Sequence, residues 1–182
     1  MLRNPLTWLL LFIASSALAA CCGSVACDCQ DSLDNAVFFN FNLDPSSPSP
    51  TRFDSASVGT VFIVRQLLRD TARRPTIDTV ALVRPRPQWG NSVVLNNTQP
   101  FPQRGNRKLD RYFYTIYLGT RRAPTTRFKI DSVKLNDRLE SDGCCTCNRN
   151  IRKLVYLNGQ TTPQDLTDPA GKDQPVPVLL NR

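Results

Sequence analysis

Seven cysteines constrain this 182-residue chain more than any other feature, and six of them fall in two short clusters. Cys22, Cys27 and Cys29 stand near the N-terminus; Cys144, Cys145 and Cys147 stand far downstream, with one C-x-C in each group. In an extended backbone both side chains of C-x-C point the same way, so two facing segments can be joined twice. Six cysteines allow about 15 pairings, and spacing alone does not choose among them. The preferred pattern joins cluster to cluster. A bridge such as Cys29 to Cys144 would close a loop of about 115 residues and contribute about 4–5 kcal/mol in the chain-entropy model. The rival is a cysteine-only metal site, because tetrahedral zinc accepts four thiolates, but the spacing departs from the usual C-x₂-C pairs. An oxidising compartment favours disulfides, and the C-x-x-C of redox proteins is absent.

The seventh cysteine, Cys21, follows a leader. Arg3 provides a basic start, Trp8 to Ile13 an apolar run, and Ala14 to Ala20 a series of small residues, which fits a secretory signal over 1–20. The strongly apolar block is shorter than the roughly 20 residues of a transmembrane helix. Ala17-Leu18-Ala19 also forms an ordinary A-x-A cleavage site. Parity favours the other route, because an odd thiol is a liability outside the cell and a modified Cys21 leaves an even number. Leu18-Ala19-Ala20-Cys21 matches the lipobox of bacterial lipoproteins residue for residue, and in this the chain resembles that class. The resemblance covers only the leader and Cys21. It implies a diacylglyceryl thioether on Cys21 and an acylated amine, hence a lipid-anchored envelope protein. Two or more acyl chains anchor stably, at about 0.8 kcal/mol per buried CH₂. No acid occurs in residues 22–26, unlike the acidic run of some surface-directed Gram-negative lipoproteins. Outer-membrane attachment on the periplasmic side or at the surface therefore both stay open.

Behind the leader the sequence divides into a lipidated cysteine-rich tether (21–35), a β-domain (36–160) and a Pro-rich tail (161–182). Val37, Phe39, Phe41 and Leu43 alternate with polar residues as on a half-buried strand, and the three prolines of 44–50 end it. Further strands are expected at Val58–Gln66, Ile77–Val83, Val93–Leu95 and Tyr112–Leu118, with a short helical turn over Leu67–Arg74. The apolar phase slips between Phe128/Ile130 and Val133/Leu135, which calls for a bulge or bend at Asp131-Ser132. A late strand carries Ile151, Val155 and Leu157, turned by Asn158-Gly159, and Val176–Leu180 offers an edge strand. About seven short strands with few or no helices predict an all-β antiparallel sandwich, immunoglobulin-like or related, with little room for parallel connections. Architecturally the chain resembles the uncharacterised envelope lipoproteins that place a β-sandwich behind a lipobox, and that likeness conveys no activity.

The chain has no histidine, which excludes Ser-His-Asp and Cys-His catalysis and imidazole metal ligation. Its aspartates sit in turn-like contexts, and no calcium-loop, P-loop or dinucleotide fingerprint occurs. No catalytic residue, metal or cofactor beyond the lipid is assigned. The net charge is +8, carried mostly by Arg and one less after loss of Arg3 with the leader. Such a balance suits an acidic partner, either an envelope protein or an anionic glycan, and nucleic acid is not among the expected partners. Trp89, Phe101, Arg104 and Arg107, in the basic Arg84 to Arg111 stretch, are the expected contact residues, being of the types that carry interface energy. Asp-Ser or Asp-Thr before an apolar residue recurs at Ser32, Ser55, Thr71, Thr79 and Ser132 and resembles the acceptor rule of some Gram-negative O-glycosylation systems.

Three functions follow as expectations. The first is a non-catalytic, lipid-anchored envelope module for binding or support. The second is a carbohydrate-binding or Asp-dependent glycan-active domain, whose stacking aromatics would be Tyr112, Tyr114 and Tyr117. The third is a cysteine-only metal-binding protein.

Overall fold

The computed structural model describes residues 5, 8–9, 13, 27, 29, 31–70, 75–142, 144–168 and 175–182. The lipobox, Cys21, Cys22 and Thr71 lie outside them. Among the described residues nine strands form two sheets. They are β1 (Val37–Phe41), β2 (Thr60–Leu67), β3 (Ile77–Val83), β4 (Val93–Leu95), β5 (Tyr112–Gly119), β6 (Pro124–Asp142), β7 (Cys145–Leu157), β8 (Gln164–Asp165) and β9 (Val178–Leu180). The large sheet runs β3-β2-β5-β6-β7-β8 and the small one β4-β1-β9. The all-β class holds: the described helical pieces in this domain are one turn, α1 (Asp31–Asp34), and three short 3₁₀ turns.

Alternation in the sequence becomes burial in the fold. Val37, Phe39 and Phe41 of β1 face inward, as do Val61 and Ile63 of β2 and Tyr114 and Ile116 of β5. The inner face of the large sheet meets the small sheet across one core, and Phe53 closes it by packing edge-on against Phe41 and Phe128, with centroids 5.5 and 6.1 Å away. The expected phase slip is a bulge. Ile130 pairs with Leu157 and Ser132 with Tyr156, so Asp131 is the extra residue, and Phe128, Ile130 and Val133 all reach the core. Asp131 then accepts from the Gly159 amide at 2.6 Å and pairs with Lys129, which closes the Asn158-Gly159 turn against the bulge.

Two features add to the expected antiparallel sandwich, which the two sheets bear out. β9 runs parallel to β1, with Phe39 opposite Val178 and Phe41 opposite Leu180. Asn42 receives it, donating to Asn181 at 3.0 Å while its amide donates to the Leu180 carbonyl. Second, β6 and β7 are not short: with 19 and 13 residues they form a hairpin whose outer half runs well past the core. Leu67 ends β2 rather than opening a helical turn, and 71–74 lie outside the described residues. At the other end of the sheet Gly119 (φ 92°) makes the tight β5–β6 turn, where an added Cβ would lie 2.8 Å from the Ala123 carbonyl oxygen.

Candidate functional site

The cysteine clusters meet. Cys27 bonds to Cys145 and Cys29 to Cys147, with Cα separations of 5.5 and 5.4 Å. Both bridges span 118 residues, so the N-terminal segment runs in the same direction as β7. The illustrative pair Cys29 to Cys144 is thus corrected: Cys145 and Cys147 are two apart and project to one face of β7, whereas Cys144 is adjacent to Cys145 and projects otherwise. Cys144 is itself disulfide-bonded. Sulfurs joined in this way are not thiolate ligands, and the described residues contain no His/Cys/Asp/Glu group suited to a metal. Two native disulfides belong to an oxidising, extracytoplasmic compartment.

Beyond the bridges, polar contacts continue the same register. The Asn150 side-chain amide donates to Asn35 Oδ1 at 2.9 Å and to Asp137 Oδ1 at 3.0 Å; Asn35 donates to Asp137 Oδ2 at 3.0 Å. Lys108 Nζ reaches the same carboxylate at 3.2 Å, and the buried Lys153 donates to the Ala36 carbonyl at 2.7 Å. The segment expected as a tether is therefore fastened along β7 from Cys27 to Ala36. Asp137 sits at a second register shift, where Asn136 pairs with Arg152 and Asp137 with Asn150, so Ile151 is the extra residue.

The expected contact residues separate. Phe101 is 3% exposed and belongs to the core; its ring covers the Arg65 guanidinium at 4.5 Å, with Tyr112 on that cation as well at 4.6 Å. Arg65, buried on the inner face of β2, pairs with Asp78 at 2.8 Å and donates to the Pro102 carbonyl. Trp89 is half-buried against the core and donates its indole N–H to the Arg84 carbonyl at 2.8 Å. Of the four, Arg104 and Arg107 remain on the surface, and Arg104 is paired to Asp78 at 2.9 Å. Tyr112, Tyr114 and Tyr117 are all buried; the Tyr114 hydroxyl donates to the Leu109 carbonyl, and Tyr117 stacks on Phe62 at 4.9 Å. Among the glycosylation candidates Ser55 is exposed, Thr79 and Ser132 are half-buried, and the side chain of Ser32 is not among those described. The aspartates before Ser55, Thr79 and Ser132 are occupied: Asp54 caps a 3₁₀ turn, Asp78 holds Arg65 and Arg104, and Asp131 holds the bulge.

Arg107 does line a cleft. Leu67 pairs with Tyr112 across β2 and β5, which brings the residues just outside those strands together. Leu67, Leu68 and Arg69 from one side and Asn106, Arg107, Asp110 and Arg111 from the other enclose about 590 Å³. This lies within the range of small-molecule sites. A smaller hollow of about 310 Å³ continues it past Lys108 to Leu135 and Asp137. Among the described residues the Arg69 and Arg107 guanidiniums have no ion-pair partner, and the 3.9 Å Arg111–Asp110 pair is exposed on the arginine side and therefore weak. Among its described lining residues the cleft thus presents three guanidiniums and the apolar Leu67 and Leu68 against one carboxylate. Arg111 closes the basic stretch read from the sequence, whereas Arg69 escaped it because nothing there says which strand β2 pairs with.

Phe101→Ala should cost about 3–5 kcal/mol in urea unfolding, as a core aromatic does. Arg107→Ala should stay within about 0.5 kcal/mol. Equal effects would contradict the separation of these residues into core and surface. Burial holds the Lys153 ammonium below the ordinary lysine range, against the opposing influence of Asp34, Asp137 and Asp168. The unfolded chain then binds more protons between the folded pKa and 10.5, so stability rises with pH through that window. Wild type should gain on Lys153→Met as pH rises toward 10.5 in paired urea titrations, and a pH-independent difference would contradict it.

A scan against protein-family models, a search of curated proteins and a search of solved structures each return no match.

Proposed function

We propose that this chain is an exported, lipid-anchored, non-catalytic module of the cell envelope that binds a carboxylate-bearing partner in the Arg69–Arg107–Arg111 cleft. The observation that carries the binding role is the cleft itself. Planar guanidiniums match carboxylates in paired hydrogen bonds, and Leu67 and Leu68 offer apolar contact to the body of the ligand. The shared chemistry admits an acidic protein segment or an acidic glycan.

Anchoring rests on the lipobox and on cysteine parity. With Cys21 modified by lipid, six cysteines remain, an even number that can all enter bridges. No helix among the described residues is long and apolar enough to cross a membrane.

Isothermal titration at physiological salt with polygalacturonate and with a poly-glutamate peptide tests the cleft. Wild type should bind one of them, which identifies the source of the carboxylate. Arg69→Ala/Arg107→Ala/Arg111→Ala, with an unchanged circular dichroism spectrum, should bind at least about ten-fold more weakly, since each lost charged hydrogen bond costs about 1.5–3 kcal/mol at best. Binding of neither probe by wild type, or equal binding by the triple variant, would overturn the assignment.

A further inference from the structure

We infer that the protein stands upright on its bilayer with the β6–β7 turn toward the lipid, so that the arginine cleft draws its ligand from the aqueous envelope and not from the headgroups beneath it. The inference rests on the lipid-anchor reading and adds a direction to it.

The bridges supply that direction. Cys27 faces Cys145 at the start of β7 and Cys29 faces Cys147 one step further from the turn, after which Asn35 meets Asn150 and Ala36 meets Lys153. Numbers rise together along both segments, so Cys27, the first described residue of the strip, stands at its β6–β7 turn end. From Cys21 to Cys27 the backbone reaches at most about 20 Å, even fully extended. The turn, and not the opposite end of the sheet, is therefore the part held against the bilayer. Near it Leu139 is 72% exposed, an apolar side chain on the end assigned to lipid.

Strand length then sets heights. β6 runs from Pro124 to Asp142 in one direction, which at about 3.3 Å per residue places the Gly119–Pro124 turn about 60 Å from the tip. The cleft's continuation meets β6 at Leu135 and Asp137, five to seven residues from Asp142 and so about 16–23 Å above the tip. Charges further apart than about 8 Å are largely screened at physiological ionic strength. In the upright stance phosphates of the anchoring leaflet are then outside the range of Arg69, Arg107 and Arg111, and a carboxylate on a solute or polymer above the membrane is within it.

The mature lipidated protein, carrying a fluorescent amino acid at Ser141 or at Thr120, is bound to phosphatidylethanolamine/phosphatidylglycerol vesicles containing a headgroup-labelled acceptor lipid. It should float with the vesicles, lose flotation on Cys21→Ser, and transfer energy several-fold more efficiently from Ser141 than from Thr120. Flotation with equal transfer from both positions, or with the order reversed, would overturn the upright stance and leave the anchor standing. Absence of flotation, or flotation unaffected by Cys21→Ser, would overturn the anchor and the stance together. Raising the phosphatidylglycerol fraction from none to half should leave binding of the carboxylate probe by vesicle-bound protein unchanged. Loss of that binding would place the cleft against the headgroups and contradict the inference.

Discussion

The structure depends on a strip of backbone held to β7 by two bridges in parallel register. An isolated two-stranded hairpin is marginal in water, and the outer half of β6–β7 has neither face on the core. Cys27–Cys145 and Cys29–Cys147 supply the missing third layer. Either bridge alone, closing a loop of 118 residues, removes unfolded-chain entropy worth about 5 kcal/mol. The second closes only a tiny additional ring, so its main effect is to fix direction and register. Asn35, Asp137, Asn150 and Lys153 then carry that register into the sandwich, where the chain enters β1.

A second constraint orders the long polar stretch between β4 and β5. Arg65 is a charge on the core face of a central strand, which is tolerable because Asp78, the Pro102 carbonyl and two aromatic rings surround its guanidinium. Phe101 and Pro102 are thereby fastened over the end of β2, and Arg107 and Arg111 follow on the rim opposite Arg69. The buried cation thus positions the exposed ones. Removing it would leave Asp78 with Arg104 alone and release the segment that forms one wall of the cleft.

Strand existence was legible wherever one face is buried. Alternation at Val37, Phe39 and Phe41 marked β1, and the phase slip after Ile130 marked a bulge, since a shift by one residue would otherwise turn Val133 away from the core. Meeting of the cysteine clusters was legible from their matched C-x-C spacing. Pairing partners were not. The outer part of β6, from Asn136 to Ser141, has Leu139 as its one large apolar residue and buries no side chain in the core, so no period-two signal reveals a strand there. The burial of Phe101 was hidden because its partner Arg65 lies 36 positions away and is of a residue type usually found on surfaces. The parallel entry of β9 was hidden because a three-residue strand carries no information about its neighbour. Arg69 and Arg111 join only through the Leu67–Tyr112 pairing, so the cleft became visible with the fold and not before.

Parallel register of the N-terminal segment on β7 is the central claim, and disulfide mapping of the unreduced protein by fragmentation mass spectrometry tests it most directly. Parallel register predicts Cys27 joined to Cys145 and Cys29 joined to Cys147. The crossed pattern, Cys27 to Cys147 with Cys29 to Cys145, would reverse the segment. Bridges within one cluster, Cys27 to Cys29 or Cys145 to Cys147, would detach it, and either result would contradict the account.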